Sequence, residues 1–210
     1  MGTKLKLVPC ETYVDEKNGR VPYECYIVEV PIKDEKGRLK YIYGFVPVSR
    51  DVNVGYLRFT KENLIAQMFK VNGNRYGWGG MYNARDCSQY IMELYKTFGF
   101  SFGRNSATQA KMPFATYDVE KASDEEKKAL LDAIPVGSIV YFPGHVMMYL
   151  GNVEGEYYVI SAPGRMMAAD EKDENEIYAH TTLVTPLSVR RISGKTWLSS
   201  ITKIKIIDIK

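Results

Sequence analysis

Histidine is nearly absent from this sequence: His145 and His180 are the two in 210 residues, which excludes a metal site built from several imidazoles. Cysteine is almost as scarce. Cys10, Cys25 and Cys87 make an odd count with no close pair, so neither a disulfide framework nor a CxxC metal site is indicated, and no metal or cofactor is expected. At most Cys10 and Cys25 pair, which leaves Cys87 a free thiol. Long apolar runs are missing too. None approaches the roughly 18 residues of a membrane span, so no membrane span is expected. The opening stretch MGTKLKLVPCETY lacks the apolar core of a signal peptide, which fits a natural start and equally a chain from which an export signal has been removed. Charge of one sign is also absent: 28 basic against 25 acidic residues give +3 with no long block of like charge, so no nucleic acid is expected as a partner.

What remains is the composition of an ordinary folded protein, with 45% hydrophobic and 25% charged residues. Residues 1–55 read as short strands, YECYIVEVPI and LKYIYGFVPVS around the turn KDEKG, rich in aromatic and β-branched side chains. They suggest a small, barrel-like β-module. Residues 56–210 open with a helix that Thr60 caps, with Leu64, Ile65, Met68 and Phe69 on one stripe. The glycine-rich loop NGNRYGWGGMYNARD delivers the chain to a second helix, whose inward face is Ile91, Leu94, Tyr95 and Phe98. SDEEKKALLDAI is a third helix, capped by Ser123 with acidic residues in its first turn. GSIVYF, HVMMYLG and EYYVISA are strands joined by turns, RMMAADEKDENEI a solvated loop, and TWLSSITKIKIID a helical turn and a closing strand. Helices first and an antiparallel sheet afterwards make an α+β fold behind a β-module.

The chemistry concentrates on RDCSQY. A thiol attacks well only as the thiolate, and a helix N-terminus favours that charge through its free N–H groups and aligned dipoles. Those groups also face an oxyanion formed on an attacked carbonyl. Cys87 stands at such a terminus. An imidazole would take the thiol proton and return it to the leaving amine. His145 suits that role, since PGHVMMYLG makes it the first residue of a strand after a tight turn.

RYGWGG, then RDCSQY, RNSATQA, PVGSIVYF and GHVMMYLG, in this order and spacing, resemble the NlpC/p60-type peptidoglycan cysteine peptidases over roughly residues 56–210. The resemblance implies a reduced papain-like fold, with Cys87 as nucleophile and His145 as general base and acid. It further implies that Tyr76 lies near the nucleophile and oxyanion, and that Trp78 lines the same groove. Asp86 and Ser88 would bind substrate, flanking the nucleophile as they do in family members that recognise the amino end of a short stem peptide, and Arg104, Asn105 and Ser106 would form a substrate-facing loop. The third catalytic residue, usually His, Asn or Gln, falls here on Ser161, a departure that leaves His180 or a backbone carbonyl as alternative orienting groups. The preceding strands look like part of a bacterial SH3-like module.

The implied activity is hydrolysis of an amide bond in peptidoglycan stem peptides or muropeptides, between γ-D-glutamate and a diamino acid, diaminopimelate or lysine. If Ser161 breaks the triad, a wall-peptide binder of little or no activity is the alternative, and a thiol acyltransferase is a third. Export to the wall and recycling of wall fragments inside the cell both remain open. So does a lid role for residues 165–177.

Overall fold

The computed structural model describes residues 1–13, 19 and 22–207. The chain divides into two compact units, Gly2–Tyr56 and the residues from Leu57 onward. In the first, β1 (Lys6–Val8), β2 (Cys25–Lys33) and β3 (Leu39–Pro47) form an antiparallel sheet in the order β1-β2-β3. The register runs from Cys25 opposite Pro47 to Lys33 opposite Leu39. The Asp34 carboxylate holds the connecting turn, accepting from the N–H groups of Lys36 and Arg38. Among the described residues the sheet is three-stranded, and Tyr13 packs edge-on against Tyr43 and Phe45 of β3.

The second unit is α+β. Its elements are α1 (Lys61–Phe69), α2 (Cys87–Lys96), α3 (Ser106–Ala110), β4 (Ala115–Asp118), α4 (Asp124–Ala133), β5 (Ile139–Phe142), β6 (His145–Val153) and β7 (Glu156–Ser161). They continue with β8 (Arg165–Met167), β9 (Glu176–Tyr178), β10 (Leu183–Pro186), α5 (Trp197–Ser200) and β11 (Lys203–Ile206). Each of the longer helices starts where a short polar side chain satisfies a free N–H. Thr60 accepts from Asn63, Asp86 from Gln89, and Ser123 with Glu126 completes a reciprocal capping box.

An antiparallel sheet ordered β10-β7-β6-β5-β11-β4 lies at the centre. Side chains of a strand alternate between its faces, and here both faces are covered, which is why β5 and β6 read as unbroken apolar runs. Ile139, Tyr141, Val146, Met148 and Ile160 pack with Leu64 and Met68 of α1 and with Tyr90, Ile91, Leu94 and Tyr95 of α2. Val140, Phe142, Met147, Tyr149 and Val159 belong to a second cluster with Leu131, Leu187, Val189 and Trp197. The segment expected as a solvated loop, residues 165–177, is a loop over 168–175, but its two ends pair as a short ribbon of β8 and β9, Arg165 opposite Tyr178 and Met167 opposite Glu176. Met166 is buried in the core, and the guanidinium of Arg190 donates to the carbonyls of Ala168, Asp170 and Asp173. Charge along RMMAADEKDENEI hid the apolar anchor and its distant cation.

Among the described residues no helix is long and apolar enough to cross a membrane, and no group of three or more His, Cys, Asp or Glu is placed to hold a metal ion.

Candidate active site

Cys87 is the first residue of α2, which packs on β6. The approach to it is tight. At Gly77 an added Cβ would lie 2.3 Å from the Met81 carbonyl oxygen and 2.6 Å from the Ala84 Cβ, so only glycine fits. Between them the Trp78–Asn83 segment turns through left-handed backbone at Gly79, Gly80, Tyr82 and Asn83, and returns the chain to Asp86. The Cys87 thiol is half-buried, with the N–H groups of Cys87 and Ser88 at the helix start and of Val146 on β6 bonded towards its sulfur. All three favour thiolate. Burial is the larger effect, however, and with the neighbouring Asp86 charge it pushes the thiol above its ordinary value. The expectation that the helix terminus alone would lower it therefore fails on desolvation.

His145, 9% exposed, begins β6 and pairs with Phe142. Its ring packs between Phe142 and Trp197, with centroids 5.3 and 5.4 Å away, and its Nε2 lies 3.0 Å from Ser161 Oγ. Burial, then the positive charge of Arg191, lowers its pKa to about 4. Arg191 itself lies over the Phe142 ring, 4.8 Å from the centroid, and donates to the Pro143 carbonyl. At neutral pH the His145 imidazole and the Cys87 thiol are therefore both uncharged. Such a pair has to begin by proton transfer to the imidazole rather than from a standing ion pair.

The carboxylate next to the nucleophile is heavily engaged. Asp86 Oδ1 accepts from the Gln89 N–H at 2.8 Å, the Ser88 hydroxyl at 3.1 Å and Arg104 Nη1 at 3.0 Å. Oδ2 accepts from Arg104 Nη2 at 2.8 Å and the Gly79 N–H at 3.0 Å. Burial works against its ionisation, but Arg104, Gln89 and Ser88 together hold the carboxyl below its usual range. Arg104 also reaches Ser88 Oγ and Gln89 Oε1, so this residue of the expected substrate-facing loop is a fork closed over the head of α2.

The remaining expected site residues lie on the turn before α2, at the start of α3 and beyond β9. Tyr76 is half-buried; burial raises its phenol above the ordinary value, and nearby Cys87 and Asp86 add to the rise. Its ring stacks on His180, 6.0 Å between centroids, and its N–H donates to the His180 carbonyl. His180 is thus applied to Tyr76, while the His145 ring meets Ser161. Trp78 is 74% exposed at the head of its turn. Asn105 caps α3, accepting from the Thr108 N–H, and Ser106 opens that helix, so their recorded roles are local. Phe142, Trp197 and Arg191, which shape the His145 environment, were not foreseen. Their signal in the sequence is weak, because Trp197 lies 52 positions from His145 and resembles any core aromatic.

The sequence model of the NlpC/P60 family matches residues 73–205. No curated protein matches the chain. Among solved structures, an NlpC/P60 endopeptidase from Photobacterium damselae subsp. piscicida is similar with a TM-score of 0.67 and 22% identity, over 92% of this chain and 47% of that one. An NlpC/P60 family protein from Bacillus cereus ATCC 10987 is similar with a TM-score of 0.51 and 16% identity, over 97% of this chain and 53% of that one. The chain thus spans about half the length of these two structures.

Proposed function

Since this chain belongs to the NlpC/P60 family, we propose that its second unit is a cysteine peptidase that hydrolyses an amide bond of peptidoglycan stem peptides or muropeptides. The observation that carries the proposal is one half-buried thiol at the start of α2, with three N–H groups directed at it and the strand beginning with His145 beside it.

In the first half of the reaction Cys87 Sγ bonds to the scissile carbonyl carbon as its proton passes to His145. The step requires the tautomer in which His145 Nε2–H donates to Ser161 Oγ, which leaves Nδ1 without a hydrogen and able to take the thiol proton. The N–H groups at the head of α2 then face the oxyanion, with the Tyr76 hydroxyl as a further donor. Collapse breaks the C–N bond; His145 gives its proton to the leaving amine and a thioester remains on Cys87. In the second half His145 takes a proton from water as its oxygen attacks the thioester; the C–S bond breaks, the imidazolium returns its proton to the sulfur, and the released acid loses its proton to solvent as the new carboxylate. The bond proposed is the one between γ-D-glutamate and diaminopimelate or lysine. Residues 2–56 we assign as an accessory, SH3-like wall-binding module, which their three-stranded sheet is compatible with.

The test is mass spectrometry of L-Ala-γ-D-Glu-diaminopimelate after incubation with the native protein and with Cys87→Ala. Release of L-Ala-D-Glu by the native protein alone supports the assignment. No cleavage by folded, reduced protein overturns it, and retained binding of the peptide would then favour the non-cleaving wall-peptide binder.

A further inference from the structure

Two adjacent arginines on the way to α5 are used in opposite ways. Arg190 is buried and commits its guanidinium to the carbonyls of Ala168, Asp170 and Asp173. Arg191 is half-exposed; it lies over the Phe142 ring and gives one hydrogen bond, from Nη2 to the Pro143 carbonyl at 3.2 Å. Among the described residues no carboxylate pairs with it and no other acceptor engages its side chain. A guanidinium carries several N–H donors, so most of them remain open. The backbone beneath is fixed, because the Arg191 N–H donates to the Lys195 carbonyl and the Arg191 carbonyl accepts from Gly194, both at 2.8 Å.

This open cation lies at the proposed general base. The Phe142 ring that it covers is 5.3 Å from the His145 ring, and the Arg191 charge bears on that imidazole directly. The other side chains meeting the ring, Phe142, Trp197 and Ser161, carry no charge. In the proposed reaction His145 gives its proton to the leaving amine, so the leaving nitrogen then stands within hydrogen-bond reach of the ring. In a γ-D-glutamyl–diamino acid bond that nitrogen sits on the α-carbon, which also bears the α-carboxylate. The leaving residue therefore brings an anion to a guanidinium that has none, and a guanidinium fork matches a carboxylate in both charge and geometry.

We infer that Arg191 is a specificity-determining residue that receives the α-carboxylate of the leaving diamino acid, so that stem peptides ending in that residue are preferred over longer ones, in which this carboxylate is an amide. This rests on the peptidase assignment and deepens it.

The experiment compares L-Ala-γ-D-Glu-diaminopimelate with the same peptide carrying a primary amide in place of the α-carboxylate next to the scissile bond, by kcat/KM on the native protein and by calorimetric Kd on Cys87→Ala. The free acid should be favoured by about tenfold or more, the effect of one charge-assisted hydrogen bond. A ratio within about threefold of one overturns the inference. A second arm adds Arg191→Gln to both proteins, which keeps a hydrogen-bonding side chain and removes the charge. The ratio of free acid to amide, which does not depend on the fraction of folded protein, should then fall to within about threefold of one. A preference that survives Arg191→Gln also overturns the inference and leaves Arg191 as a clamp on Phe142 and Pro143. If both peptides are bound but not cut, the peptidase assignment alone falls and the Kd ratio decides; if neither is bound or cut, the assignment falls and takes this inference with it.

Discussion

Lowering the pH should destabilise this protein measurably through His145. His145 is buried between Phe142 and Trp197 with a pKa of about 4, whereas in an unfolded chain a histidine titrates near 6.5. Between those values the unfolded chain binds a proton that the folded one refuses, so stability rises with pH across the window and is lost as pH falls through it. Linkage gives a loss of about 1.4 kcal/mol by pH 5.5 and about 3 kcal/mol by pH 4, relative to pH 8. Against a typical total of about 5–15 kcal/mol that is a large share. Urea unfolding followed by tryptophan fluorescence at pH 8, 5.5 and 4, on the native protein and on His145→Gln, isolates the effect because glutamine does not titrate. The native protein should lose about 3 kcal/mol more than the variant over this range. Equal losses in the two proteins would refute the reasoning that burial and Arg191 keep the ring neutral.

The same shift has a kinetic counterpart: with His145 as general base, the acid limb of kcat/KM should have its midpoint near 4, and a midpoint near 6.5 would show a ring far less desolvated. Ser161→Ala removes the hydroxyl that meets His145 Nε2 and should lower kcat by about tenfold to a thousandfold with little change in KM; an unchanged kcat would mean that another group orients the ring. Leu94 is fully buried on α2, and Leu94→Ala should cost about 2–5 kcal/mol in urea unfolding, whereas an exposed position would show almost none.

Much of the scaffold was legible because its signals are local. Ser123 with Glu126, Thr60 and Asp86 are caps readable within four residues, and the alternating faces of β5 and β6 follow from unbroken apolar runs. Cys87 at a helix head and His145 at a strand start were visible for the same reason. What stayed hidden depends on partners far apart in the chain. Arg104 was marked by its place in RNSATQA, but its pairing with Asp86 was not, and the 165–177 segment looks solvated until Met166 meets the core and Arg190 gathers its carbonyls. The direction of the Cys87 shift was equally out of reach, because it is a contest between N–H groups supplied by two separate elements and the burial they impose.

The most direct test of the account is intact-protein mass spectrometry of acid-quenched reactions with L-Ala-γ-D-Glu-diaminopimelate, followed by peptide mapping. The account predicts a transient L-alanyl-γ-D-glutamyl adduct on Cys87, absent from Cys87→Ala and sensitive to hydroxylamine as a thioester is. Peptide cleavage that persists in Cys87→Ala, or an adduct on any other residue, would contradict it.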